Sequence, residues 1–183
     1  MFARKGYLIV LLLVFGCTGP IEERDYEGSI TRGLPALAFH LLKSDEPEHL
    51  GGIVMSQGDF AELMRRQAQA RGLALDENKI QIRSADLAER ALRKAKSRLE
   101  SLRKELDARK FDWTAARLVG VSVKRVGLSR KRVEYDASST YPHVDIYLAI
   151  ESKGQSIVVK LDDCFYVNGH RRLADGFVME NDP

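Results

Sequence analysis

The 183-residue chain is poor in cysteine, with two, and in aromatics, at 8% with a single tryptophan. Two cysteines cannot build a disulfide-dense scaffold or a four-cysteine zinc ribbon. A surplus of one charge is also missing, since 29 Lys and Arg face 26 Asp and Glu for a net +3. Nucleic-acid binding needs a strongly basic domain or stripe, so no nucleic-acid partner is expected. No apolar run approaches the ~20 residues that cross a bilayer as a stable span. The chain has no glycine-rich phosphate loop, no Gly-x-Ser-x-Gly and no His-Glu-x-x-His. Its histidines, at 40, 49, 143 and 170, share no ligand spacing, so no metal site and no cofactor are expected. His40 sits between apolar residues and reads as a core or boundary histidine; His170 follows a turn and reads as solvated. With 44% hydrophobic and 30% charged residues, the chain has the make-up of a folded domain of ordinary length.

What is present begins at the N-terminus. Arg4 and Lys5 precede an apolar run over residues 7–15, then Gly16 and Cys17. A positive start, a short apolar stretch and a small residue at the cut define a secretory signal. The competing reading is a buried N-terminal helix of a cytosolic protein. Residues 13–17, Leu-Val-Phe-Gly-Cys, resemble the lipobox of bacterial lipoproteins, with Val14 and Gly16 in place and Phe15 bulkier than the usual residue. That resemblance implies a diacylglyceryl group on the Cys17 sulfur, removal of residues 1–16 and acylation of the new amine. Thr18 is not the aspartate that favours inner-membrane retention in enterobacterial relatives, so the resemblance implies the outer membrane, facing the periplasm. Several acyl chains at ~0.8 kcal/mol per buried CH₂ would make the anchor effectively permanent. Processing leaves 27 cations against 26 acids, a near-neutral body.

Residues 17–33 read as the lipidated cysteine and a polar tether. From Thr18 to Gly33 the chain carries three glycines and one proline without periodicity. Sixteen residues at ~3.5 Å each reach at most ~55 Å. Residues 34–183 read as one domain. Leu34, Leu37, Ala38, Leu41 and Leu42 match a helical face, with Pro35 in the first turn and residues 44–47 as the end. A second helix is expected from Asp59, read as the cap of a box with Glu62, to Gly72. Residues 50–55 between them are ambiguous.

The third helix is the clearest, expected over residues 84–110 with Ser84 as cap. Ala88, Ala91, Ala95, Leu99, Leu102 and Leu106 form one narrow stripe, and Arg90, Arg93, Lys94 and Lys104 should face water. Three alanines in six positions disfavour a strong coiled-coil dimer and allow close packing on a sheet. After Trp113 the apolar period falls from 3.6 to 2: Val119, Val121, Val123; Val144, Ile146, Leu148, Ile150; Ile157, Val159, Leu161. Asn168-Gly169 between strand-like runs predicts a hairpin. Residues 136–142 read as a longer loop. Three helices followed by four to six antiparallel strands predict an α+β fold, with the long helix packed across the sheet.

This order of elements resembles the cystatin-like/NTF2-like superfamily, in which a long helix packs on a curved antiparallel sheet. Residues 161–176 are similar to the ending common in NTF2-like envelope lipoproteins, although Arg171-Arg172 stand where an aromatic is usual. The superfamily hosts enzymes, ligand carriers and structural domains, so the resemblance does not choose a function.

Three groups bear on chemistry. Asp162 and Asp163 are the one adjacent carboxylate pair in an apolar context; in a regular strand they would point to opposite faces. The catalytic reading makes one a general acid/base with a raised pKa beside a tyrosine such as Tyr166. The plainer reading is a strand end or bulge with both acids hydrated, because acids are rarely buried unpaired. Tyr135, Tyr141, Tyr147 and Tyr166 could line the sheet or simply pack it. Cys164, left without a partner if Cys17 carries lipid, is a reactive thiol or a small buried hydrophobe; no neighbouring cation lowers its pKa, which favours burial. The expectation is therefore a membrane-anchored envelope lipoprotein acting as a non-enzymatic binding module for a protein or small ligand. The alternatives are a small NTF2-like hydrolase or isomerase with an Asp/Tyr pocket and, more weakly, a periplasmic immunity or inhibitor lipoprotein.

Overall fold

The computed structural model describes residues 33–44, 46–125 and 143–180. The signal, Cys17, the tether up to residue 32, Tyr135, Tyr141 and the loop at 136–142 lie outside the described residues.

Helix α1 (Leu34–Ser44) buries Leu34, Pro35, Ala38, Leu41 and Leu42. Leu37, expected on that face, is half exposed, because the buried stripe turns toward Pro35 instead. The ambiguous segment that follows is a 3-10 turn over Pro47–Gly52. It leads to Val54, whose single parallel bridge to Leu173 is closed by hydrogen bonds of 2.9 Å from Met55 N to Leu173 O and from Leu173 N to Ile53 O.

Helix α2 (Gln57–Ala70) starts two residues before the expected cap. Ser56 is the N-cap, and Asp59 is the third helical residue of a capping box that closes in both directions. An acid can serve either place, and the serine three residues upstream completes the reciprocal pair. Asp59 is buried, and its other oxygen accepts from Asn168 Nδ2 at 3.1 Å, fastening α2 to the turn predicted at 168–169.

Helix α3 (Glu77–Ala108) is longer than expected at its start. Asp76, not Ser84, caps it, accepting from Lys79 N at 3.1 Å. Ser84 lies inside the helix, buried, with its hydroxyl donating to Gln81 O at 3.1 Å. Serine mid-helix satisfies itself on the preceding turn, which from sequence is hard to tell from a cap. Ala91, Ala95, Leu99, Leu102 and Leu106 are buried as one stripe, while Arg90, Arg93, Lys94 and Lys104 are exposed. Asp86–Arg90, Glu89–Arg93 and Glu105–Arg109 pair along the exposed side at 2.9, 3.5 and 2.7 Å. Such pairs contribute roughly 0.2–0.5 kcal/mol each, so the buried stripe decides where α3 lies.

Strands β1 (Arg117–Arg125), β2 (Val144–Ser152), β3 (Gln155–Val167) and β4 (His170–Glu180) form one antiparallel sheet in the order β1-β2-β3-β4. Lys153-Gly154 and Asn168-Gly169, each with positive φ at both residues, make the two tight turns. Only the second carries the Asn-Gly signature that a sequence reading relies on. Val144, Ile146, Leu148, Ile150, Val159, Leu161, Leu173 and Phe177 turn inward to the core with the α3 stripe. Val119, expected inward, is half exposed: a register shift between Leu118 and Gly120 makes it the extra residue, so Leu118 packs on the core in its place, beside Val121 and Val123 as expected. The result is an α+β fold. No helix among the described residues is long and apolar enough to cross a membrane.

Candidate functional site

The charged residues of the sheet converge because of one irregularity. Val144 faces Cys164 and Ile146 faces Leu161, so Asp162 and Asp163 together stand opposite the single residue Asp145. Asp163 takes φ 54°, a left-handed conformation that a non-glycine residue adopts at some cost. Its backbone N–H donates at 3.1 Å to the Asp145 side chain. The bulge therefore overturns the opposite-face expectation for Asp162 and Asp163. It brings carboxylate oxygens of Asp145, Asp162 and Asp163 within 4.8 Å of one another. Nor are the acids freely hydrated, since all three side chains are mostly buried.

Two cations, Lys160 and Arg98, answer them, and a third, Lys94, joins through Asp175. Lys160 lies 3.3 Å from Asp162, 3.6 Å from Glu180 and 3.9 Å from Asp145. Arg98 of α3 bonds Asp162 Oδ2 at 3.0 Å and reaches Asp175 at 3.2 Å, and Lys94 also pairs with Asp175. The Arg98 reach depends on Gly176, the residue opposite Asp162: a Cβ there would sit 3.0 Å from Arg98 Cδ and 3.2 Å from Ala95 Cα. A missing side chain on β4 thus lets α3 close on the sheet and carry its guanidinium to the acids.

The electrostatics follow from these contacts. Desolvation pushes Asp162 upward, but the Arg98 hydrogen bond and the Lys160 charge outweigh it and hold its carboxyl below the ordinary value. Asp145 is shifted upward by desolvation, with neighbouring Asp162 and Asp163 adding to the rise. Tyr147, on the same face two residues along β2, is also raised by desolvation, and Lys124 Nζ lies 4.6 Å from its ring centroid. Burial opposes the charge of Lys160, yet the surrounding carboxylates raise its pKa overall. An Asp162 held ionised by two cations is a fixed anion. The acid whose proton affinity rises is Asp145, which sequence reasoning missed. Only its alternation within β2 and the bulge opposite bring it to the pair.

The remaining sequence candidates separate. Tyr166 lies at the turn end of the β3–β4 hairpin, across from Arg171, and is 54% exposed. Cys164 is wholly buried, its thiol pushed up by desolvation and aimed at Leu161 O at 3.4 Å, as a small core residue would be. His40 is exposed, contrary to expectation, because it falls on the outer side of α1. His143 stacks on Phe165 with ring centroids 5.2 Å apart, and its Nε2 lies 3.5 Å from Asp163.

The three acids have the oxygen donors that a divalent cation takes. Lys160 and Arg98 already supply positive charge at two of them, which works against a metal there. A cavity of about 190 Å³ lies toward the other end of the sheet, lined in part by Arg109, Val119, Glu151, Ile157 and Glu180. Typical small-molecule sites are roughly 300–1,000 Å³, so this one suits a few atoms of a ligand or a side chain of a partner. Compared with family models, curated proteins and solved structures, the chain matches none of them.

Proposed function

We propose that the protein is a membrane-anchored envelope lipoprotein acting as a non-enzymatic binding module, carried on Cys17 at the periplasmic side of the outer membrane. Its domain is of the cystatin-like/NTF2-like type, and its partner is a protein or a small ligand bound at the sheet. One observation carries the non-enzymatic part: Asp162 is tied inside the fold by Arg98 and Lys160, which hold it ionised and make it a poor proton acceptor. The 190 Å³ cavity, small for a substrate pocket, supports the same reading. Anchoring rests on Arg4, Lys5, the apolar run at 7–15 and Gly16-Cys17. A tether of sixteen residues then gives the domain a high effective concentration for anything at the membrane surface.

The competing reading, a small NTF2-like hydrolase or isomerase, is favoured by one feature, the raised Asp145 beside Tyr147. The test is complementation in cells lacking the protein. Cys17→Ser, folded but unanchored, is expected to fail, while Asp145→Asn, Tyr147→Phe, Asp162→Asn and Tyr166→Phe are expected to complement. Loss with Asp145→Asn or Tyr147→Phe at normal protein level, together with full function of Cys17→Ser, would instead favour the enzyme.

A further inference from the structure

Two demands fall on the side chain of Asn168. It belongs to the β3–β4 turn, where Asn168 and Gly169 take positive φ, 50° and 80°, that these two residue types tolerate. It is also a clasp, since its Nδ2 donates at 3.1 Å to Asp59 Oδ1. Asp59 is 5% exposed, and its other oxygen is already engaged. Oδ2 accepts from Ser56 N at 3.0 Å and from Ser56 Oγ at 2.8 Å, closing the cap of α2. Arg172 Nε stands 3.6 Å from that same oxygen, while its Nη1 donates to Gly52 O. The amide of Asn168 is therefore what answers Oδ1, and it ties the start of α2 to the turn.

That amide is also the most labile in the chain. Of the three asparagines, Asn78, Asn168 and Asn181, only Asn168 precedes a glycine, which has no side chain to shield its backbone nitrogen. Asn168 and Gly169 are exposed, and beyond the chain neighbours nothing lies within 4 Å of where a Gly169 Cβ would stand, so water reaches the turn.

We infer that Asn168 is a site of spontaneous deamidation, and that its conversion is an ageing switch that releases α2 from the sheet. The Gly169 N–H gives its proton to hydroxide, and the nitrogen attacks Asn168 Cγ. As that bond forms, the Cγ–Nδ2 bond breaks, and Nδ2 takes a proton from water and leaves as ammonia. The cyclic imide then takes up one water. Opening at Cγ gives an aspartate at 168, and opening at the backbone carbonyl gives an isoaspartate with the chain routed through Cγ. Nothing is oxidised or reduced. Either product lacks the donor and carries a carboxylate at the turn, so buried Asp59 loses its partner and faces a like charge. Arg172 cannot answer both acids, being already placed at Oδ2 and Gly52. The clasp slows the first step, because Cγ must leave Asp59 before the nitrogen reaches it, and conversion runs through local opening of the turn. The inference depends neither on anchoring nor on what the domain binds.

The test ages the full chain at pH 8 and 37 °C beside a synthetic peptide of residues 165–172 and maps both by mass spectrometry. Conversion is expected at Asn168 ahead of Asn78 and Asn181, and more slowly than in the peptide. An Asn168 that stays intact through about ten half-lives of the peptide overturns the inference. Ion exchange then separates the converted chain, which carries one more negative charge, from the parent. Amides at the start of α2, residues 59–63, should exchange hydrogen about tenfold or more faster in the converted chain, with those of β2 unchanged. Equal exchange in the two overturns the release of α2. Asn168→Asp should reproduce the faster exchange at pH 7, and Asn168→Ala, which loses the bond without adding charge, should show less of it. Near about pH 4 a proton shared between position 168 and Asp59 should narrow the gap between these variants. His170, Arg171 and Arg172, the basic residues that follow on β4, are common to both variants and cancel. An Asn168→Asp chain no faster than Asn168→Ala at pH 7 overturns the role given to the new charge.

Discussion

The charged face of the sheet and the α2–α3 corner handle their surface in opposite ways. At the sheet, charge is abundant and answered from within: Asp162 by Arg98 and Lys160, Asp175 by Arg98 and Lys94, Glu180 by Lys160. At the corner, Leu73, Leu75 and Ile82 stay in water. The difference teaches what the fold settles for itself. A carboxylate pair in a strand attracts attention in a sequence, yet here Arg98 of α3 and Lys160 of β3 close on Asp162 and make it part of the structure. Exposed aliphatics attract none, yet they are what the fold leaves unsatisfied.

The largest effect tests whether the α3–β4 contact is as close as the charge network requires. Ala95 is fully buried, with its Cα 3.2 Å from where a Gly176 Cβ would stand. Ala95→Arg should destabilise by about 3–5 kcal/mol, through overpacking and a buried charge without a partner. Urea titration at pH 7 measures it, and an unchanged midpoint would mean that the stripe does not face the sheet.

A smaller effect is expected from Arg98→Met, which keeps the stem over Gly176 and removes the guanidinium. Because Arg98 and Asp162 retain some exposure, at 30% and 21% of the side chain, the loss should be about 1–2 kcal/mol. It should shrink when Asp162→Asn is made in the same chain. Independent effects that simply add would show that the two groups do not form a unit.

Acid titration separates the two aspartates by sign. Asp162 is depressed in the fold, so its contribution is present above its unfolded value near ~3.9 and is lost as pH falls through the folded one. Asp145 is raised, so stability falls as pH climbs from its unfolded value through its higher folded value. Asp162→Asn should therefore flatten the loss of stability below about pH 4, and Asp145→Asn should remove the gain that Asp145 makes as pH falls toward about 4 from above. Thermal melts at a series of pH values read both. Identical profiles would erase the distinction drawn between them.

The smallest effect belongs to the corner. Leu73→Ser with Leu75→Ser should change stability by no more than about 0.5 kcal/mol, because both side chains are already solvated. A loss of 2 kcal/mol or more by urea titration would place them in the core and end the contrast.

Much of this architecture is legible in the chain. Periodicity finds the stripe from Ala91 to Leu106 and the alternation of β2, because a face that must be buried writes itself at 3.6 or 2 residues. Asn168-Gly169 announces its turn through residues that tolerate positive φ. Helix starts are less legible: Asp59 and Ser84 look like caps, but Ser56 and Asp76 hold those places, since Ser and Asp also bond locally inside helices. The bulge at Asp163 is legible only as one of two plain readings of the adjacent acids, because an aspartate in a left-handed conformation leaves no glycine behind to mark it. That one residue decides that Asp162 and Asp163 share a side with Asp145. One of the two cations at Asp162, Arg98, comes from 64 residues away on α3, a pairing that no local pattern encodes, whereas Lys160 stands two residues away on β3.

The account turns on Cys17. Intact-mass spectrometry of the protein extracted from membranes tests it directly. The predicted result is a chain that has lost residues 1–16 and carries a diacylglyceryl group, with or without a further acyl chain, on an N-terminal Cys17. A chain that retains Met1, or that begins at or before Cys17 with a free thiol there, would contradict the anchored binding module.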